Sequence, residues 1–251
     1  MIQVLYWLVS AFATVLCARI SMQYYQLESY QFGGYFRTLR RNWLRAFLPG
    51  LLVSVLGIAA AALLTGIIFE DWMLALAAVL ELAFAVIAYL AQKRGPAKKP
   101  LVNTLRVKRL WAALLLVALG VSAIIVFALR VLSLSLLLPL AAPLLLALSA
   151  LVALPLEKLI NHLYLRDAMK RLDAMPGLVK IGLTGSYGKT STKFMLDTIL
   201  SEKYRVLATQ GSFNTSMGVT RVIRERLAPE HQVFLAEMGA RHMGDIRLLC
   251  K

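Results

Sequence analysis

Apolar runs long enough to cross a bilayer fill most of the first 155 residues, and they decide what this chain can fold into. Residues 2–20, 44–69, 72–90 and 110–129 each approach or exceed the roughly 20 apolar residues that a hydrocarbon core demands of a helix. Residues 131–154 are a fifth such run. Pro139 and Pro143 predict a kink there rather than a break, because neighbouring helices can satisfy the carbonyls that a proline frees. With 59% hydrophobic residues and a mean hydropathy of +0.70, the composition lies outside the range of soluble globular domains. The first run reads as an anchor and not a signal peptide, since no Lys or Arg precedes it and no small-residue cleavage site follows it.

Lys and Arg cluster in alternate loops. Arg37, Arg40, Arg41 and Arg45 follow the first run, and Lys93, Arg94, Lys98, Lys99, Arg106, Lys108 and Arg109 follow the third, whereas the intervening loops hold Glu70 and Asp71, or Arg130 alone. By the positive-inside rule this predicts a multi-pass protein of the cell membrane with five spans, its N-terminus outside and its C-terminal part cytoplasmic. Most of the net charge of +15 has the same source: residues 1–156 carry 13 Lys and Arg against 4 acids. Anionic membrane lipids are therefore the expected electrostatic partner, and nucleic acid is not, because no basic and aromatic interleaving is present. Cys17 and Cys250, the only cysteines, read as unpaired thiols.

Residues 22–43 are rich in Tyr and Arg and predict an amphipathic helix at headgroup level. Glu81 falls inside the third run, where an ionisable group is either functional or simply neutral; apart from Arg19 and Arg45 at the ends of the first two runs, no basic residue lies in any run. Residues 157–177 predict an amphipathic linker helix stopped by Pro176 and Gly177. Beyond it, strands at 178–183, 204–208 and 232–238 alternate with helices at 189–200 and 219–227, an order that implies a parallel sheet with its ligand at the carboxyl ends of the strands. The expected architecture is thus an α-helical membrane domain over residues 1–156, the linker, and an incomplete α/β phosphate-loop domain over residues 178–251.

Residues 181–193, IGLTGSYGKTSTK, place a phosphate-binding loop between the first of those strands and a helix. Such a loop needs small residues whose amides converge on an anion, a lysine to neutralise charge and a hydroxyl for Mg²⁺. Gly185, Ser186, Gly188, Lys189 and Thr190 meet these needs, with the helix N-terminus aimed at the phosphates. The general pattern G-x-x-x-x-G-K-[ST] is not met, because Leu183 stands at its first position and Gly182 lies one residue too early. Glu237, ending the third strand, reaches the Mg²⁺ held by Thr190 if that strand neighbours the first; otherwise it is a solvated strand-end acid. Asn214 sits at the same edge and reads equally as a phosphate or sugar contact or as turn chemistry. His242 is more often a solvated loop residue than a base, and His162 and His231 have no constellation around them.

Taken together, TGSYGKTSTK, FNTSMGV and AEMGARHMGDI, in this order and spacing, resemble the central ATP-binding domain of the Mur ligase family, in its MurF-like branch. That family's loop also lacks the early glycine. The resemblance covers about the last 75 residues; the apolar runs add a weaker likeness to membrane-anchored MurF-like proteins. It implies ATP and Mg²⁺ as cofactors, and Lys189 as the catalytic lysine of a nucleotide-binding set comprising Thr184, Gly185, Ser186, Tyr187, Gly188, Lys189, Thr190, Ser191 and Asn214. Thr190 and Glu237 would hold the metal. Thr215, in place of the family's second asparagine, and His242 would be substrate or nucleotide contacts, while Arg241 stands where the family often has asparagine.

The implied reaction is ATP-dependent amide formation in peptidoglycan precursor synthesis. It passes through an acyl phosphate and joins a UDP-linked muramoyl peptide to an amino acid or dipeptide. Because the chain stops near the start of a helix, with the acceptor domain and later family motifs missing, the expectation is a fragment inactive as a ligase by itself. The rival expectations are a membrane phosphate-loop ATPase of transport or signalling, and a non-catalytic nucleotide-binding membrane scaffold.

Overall fold

A computed structural model describes residues 1–67, 71–94, 99–211, 213–240 and 243–250. The chain divides into two compact units, Met1–Pro155 and Leu156–Lys251.

The first unit is helical. Its elements are α1 (Ile2–Cys17), α2 (Arg19–Leu27), α3 (Phe32–Arg41), α4 (Trp43–Ile67), α5 (Asp71–Arg94), α6 (Leu105–Ala123), α7 (Leu132–Ser135) and the first part of α8 (Ala142–Asp173). A π-helical stretch, Ile124–Ala128, prolongs α6, and a 3₁₀ turn, Leu138–Ala141, precedes α8. Four segments are long and apolar enough to cross a membrane, Trp43–Leu64, Ala75–Lys93, Leu105–Ala128 and Leu132–Asp173; a fifth counts only if α1 and α2, bent by 44° at Ala18, are taken together. At a rise of about 1.5 Å per residue, α1 alone is short of a hydrocarbon core. The prolines of the fifth run act at its start: Pro139 lies in the 3₁₀ turn and Pro143 in the first turn of α8, where a missing N–H breaks no helical bond. The acidic loop at Glu70, and Lys98 of the basic loop, lie outside the described residues.

The segment expected to be one headgroup-level helix is two helices packed into the protein. Ser29 and Tyr30 take positive φ of 55° and 62°, reversing the chain between α2 and α3. Their inner faces carry Met22, Tyr25 and Tyr35 into the core, and the Tyr35 ring stands edge-on to Tyr25. Burial leaves the Tyr35 hydroxyl in need of a partner, and it donates to the Pro143 carbonyl at 2.7 Å. Glu81 of α5 is fully buried beside Gly57 of α4, and its carboxyl has no hydrogen-bond partner among the described residues.

In the second unit, the remainder of α8 continues without interruption through Pro155 to Asp173, so the segment expected as a separate linker belongs to that helix. Next come β1 (Val179–Leu183), α9 (Lys189–Ser201), β2 (Val206–Ala208), α10 (Ser216–Arg226), β3 (Val233–Glu237) and the short α11 (Asp245–Leu249). The sheet is parallel with order β1-β3-β2. All five residues of β3 are buried, as a central strand covered on both faces requires. Its neighbours in the core include Leu178, Leu207, Val219, Val222 and Ile223, with Ala168 of α8. Arg224 of α10 donates to Asp167 of α8 at 2.6 Å and stacks over the Tyr164 ring at 3.9 Å.

Close backbone approach in the helical unit depends on Gly50 of α4. A Cβ built there would lie 2.1 Å from the Pro139 carbonyl oxygen, whereas one at Gly120 of α6 meets nothing within 4 Å. Gly50→Ala therefore lowers the thermal unfolding midpoint of the purified protein by several degrees, whereas Gly120→Ala, which meets nothing and gains helix propensity, leaves it unchanged or raises it. Equal midpoints for the two variants would contradict the packing described.

Candidate functional site

Register places the site. Leu183, the last residue of β1, pairs with Glu237, the last of β3, so the loop that leaves β1 starts beside that carboxylate. Gly182, the glycine one residue too early for the general loop pattern, is a strand residue paired with Ala236 and packed against Met238. The chain then turns through Thr184–Gly188, where Gly185 has φ +152° and Gly188 has φ +76°, conformations that L side chains rarely adopt. Gly188 is the N-cap of α9, which opens with Lys189, Thr190 and Ser191. The first amides of a helix have no intrahelical acceptor and carry the positive end of its dipole, so this turn can receive an anion. Thr184, Gly185, Ser186, Tyr187 and Gly188 are all exposed at its mouth, and the Lys189 ammonium folds back onto the Gly185 carbonyl.

Glu237 is the convergence point. The Thr190 hydroxyl lies 3.1 Å from each carboxylate oxygen, and Asn214 Nδ2 approaches Oε1 at 3.5 Å. Lys193 Nζ donates to Oε2 at 3.0 Å and to the Gly211 carbonyl at 2.8 Å; Lys193 and Glu237 are only 1% and 2% exposed. The Glu237 amide donates to the Thr209 hydroxyl at 2.9 Å, which fixes the strand end from behind. Burial pushes the carboxyl's pKa upward, but the hydrogen bonds from Lys193, Thr190 and Asn214 and the Lys193 charge outweigh it, leaving the pKa below its ordinary 4.5. Glu237 is therefore an ionised acid at neutral pH.

Asn214 is held in place by backbone. Its carbonyl accepts from the Gly239 amide at 2.7 Å, and a Cβ on Gly239 would come within 2.8 Å of the Asn214 side chain. Thr215 is the N-cap of α10, its hydroxyl accepting from the Gly218 amide at 3.2 Å. His242 and Arg241 lie outside the described residues. Lys193 and Thr209 were not singled out by the sequence. The readable signal for Lys193 was its spacing, since residues three and four apart share a helix face and Lys193 follows Lys189 and Thr190 by four and three.

The donor set fits a Mg²⁺ completed by phosphate oxygens and water. A single carboxylate beside a hydroxyl, at the mouth of an anion-receiving turn, is the sparse protein contribution such an ion takes. Among the described residues no group of three or more His, Cys, Asp or Glu could hold a metal, so an all-protein cage is absent there.

Residues 183–251 match the family model described as the Mur ligase middle domain. The UDP-N-acetylmuramoyl-tripeptide--D-alanyl-D-alanine ligase of Treponema pallidum is 41% identical over 76 residues, covering 30% of this chain and 16% of its own. The Escherichia coli ligase of that name is 35% identical over 103 residues, covering 38% and 23%. A crystal structure of MurF from Acinetobacter baumannii aligns with 35% of this chain and 19% of its own at 39% identity and a TM-score of 0.34, so the likeness rests on sequence and not on superposition. The chain thus spans less than a quarter of the length of each of these relatives. From residue 183 onward, this chain is similar to the Mur ligase middle domain, and both ligases named above add D-alanyl-D-alanine by their printed names.

Proposed function

We propose that this chain supplies the nucleotide site of a membrane-anchored, ATP-dependent Mur-type amide ligase. The observation that carries the proposal is the contact of the Thr190 hydroxyl with both oxygens of Glu237 at the carboxyl ends of β1 and β3, one residue along from Lys189, within sequence that matches the Mur ligase middle domain. A nucleotide triphosphate in this site rests on the amides of residues 185–191, and Lys189 swings from the Gly185 carbonyl to the β- and γ-phosphates. Thr190 and Glu237 would hold Mg²⁺, which would supply charge neutralisation at the phosphates. Asn214, tied to Gly239, orients the nucleotide or its water from the third side of the pocket.

The relatives' names, which describe joining D-alanyl-D-alanine to a UDP-N-acetylmuramoyl tripeptide, support amide formation as the chemistry. Amide formation from a carboxylate needs activation: the carboxylate oxygen attacks the γ-phosphorus of ATP, ADP leaves, and the amine then displaces phosphate from the resulting acyl phosphate. Positioning and charge neutralisation provide most of the rate in such a phosphoryl transfer, and these are the properties that Lys189, the glycine-lined turn and Glu237 have to offer. Four segments of sufficient length and apolarity support the anchoring part of the proposal, with anionic lipids against the basic loops and the second unit in the cytoplasm, where ATP and UDP-linked precursors are.

Calorimetric titration of the solubilised chain with ATP and Mg²⁺ tests the nucleotide site. Lys189→Ala weakens binding about tenfold or more, the scale expected when a charge-assisted phosphate contact is lost. Unchanged affinity, or no ATP binding by the unmodified chain, would refute the proposal.

A further inference from the structure

Lys193 is the least expected member of the cluster, and its surroundings give it a task. A lysine is almost never fully buried unless paired. Here the four-carbon stem passes through the core beneath α9 and ends between two acceptors on different elements, the Glu237 carboxylate at the end of β3 and the Gly211 carbonyl in the turn after β2. That turn leads to Asn214, and Gly211 adopts φ +48° within it. The ammonium therefore joins three parts of the site: the helix bearing Lys189 and Thr190, the strand bearing the acid, and the loop bearing the amide.

The two oxygens of Glu237 are not equivalent as a result. Oε2 is taken by Lys193, whereas among the described residues Oε1 faces the shared Thr190 hydroxyl and the long contact from Asn214. A divalent cation could displace Lys193, but the freed ammonium would then be left 1% exposed with the Gly211 carbonyl and the Phe194 ring, 5.1 Å away, in place of a carboxylate, and stranding one member of a buried ion pair is strongly unfavourable. Approach at Oε1 and Thr190 leaves the pair intact.

We infer that Lys193 is a positioning residue for this site: it anchors Oε2 of Glu237 and the Gly211 turn, so that Oε1 and the Thr190 hydroxyl are presented together to Mg²⁺. The inference rests on the proposed nucleotide and Mg²⁺ site and adds a residue whose effect is on metal coupling, not on phosphate contact. Lys193→Met keeps the length of the stem and removes the charge, so the carboxylate is left without the partner that fixes its orientation.

The affinity of the solubilised chain for ATP, measured with and without Mg²⁺, separates the two levels. In the unmodified chain Mg²⁺ tightens binding about tenfold or more, and Lys193→Met loses most of that gain while its metal-free affinity stays within about threefold. A purely structural lysine would lower both affinities together. Retention of the full Mg²⁺ gain in Lys193→Met overturns the inference and leaves the proposed site standing; absence of any gain in the unmodified chain sinks both. A second measurement is independent of how the variant folds: a structure of the unmodified chain with ATP and Mg²⁺. Lys193 Nζ still bonded to Oε2 and to the Gly211 carbonyl is the expected result, and Nζ displaced by the metal overturns the inference.

Discussion

Parallel pairing of β1 with β3 is the constraint on which the site depends. In a parallel sheet every strand ends at the same edge, and register alone decides which residues meet there. With Leu183 opposite Glu237, the glycine-lined turn and the strand-end acid are neighbours without any long side chain having to reach. A shift of one residue would turn Glu237 to the other face of the sheet, away from Thr190. The register is held on both sides of β3. The Met238 amide donates to the Leu183 carbonyl at 2.8 Å, the Thr209 amide to the Leu235 carbonyl at 2.9 Å, and the Thr209 hydroxyl receives the Glu237 amide.

That edge brings a buried anion and a buried cation together, and their pairing decides the electrostatics. Glu237 alone would be an unfavourable charge in the interior; with Lys193, Thr190 and Asn214 around it, the carboxyl is held below its ordinary pKa. An acid kept ionised in a fixed orientation differs from a solvated strand-end glutamate in one property: its oxygens are already in place for the cation that the proposed function would bring there.

The turn between β1 and α9 was legible because Gly185 and Gly188 interrupt an apolar run just ahead of a helix-forming segment, and both take positive φ. Glu237 was legible only conditionally, since whether β1 borders β2 or β3 depends on long-range pairing that local pattern does not contain. Lys193 was hidden, because a lysine on a mixed helix reads as solvated until the element covering it is known. Residues 22–43 misled for a related reason: tyrosines suit a membrane interface and a protein core equally well, and the turn at Ser29 and Tyr30 has no proline or glycine of its own to announce it. Pro155 is the opposite case, a helix breaker that α8 tolerates within its 32 residues.

A metal held jointly by nucleotide and by Glu237 is the centre of the proposed site. Electron paramagnetic resonance of Mn²⁺, used in place of Mg²⁺ with the solubilised chain and ATP, observes that joint complex directly. A protein-bound Mn²⁺ signal that requires ATP, and that Glu237→Gln abolishes, is the predicted result. The same signal persisting in Glu237→Gln, or arising without nucleotide, would contradict the account.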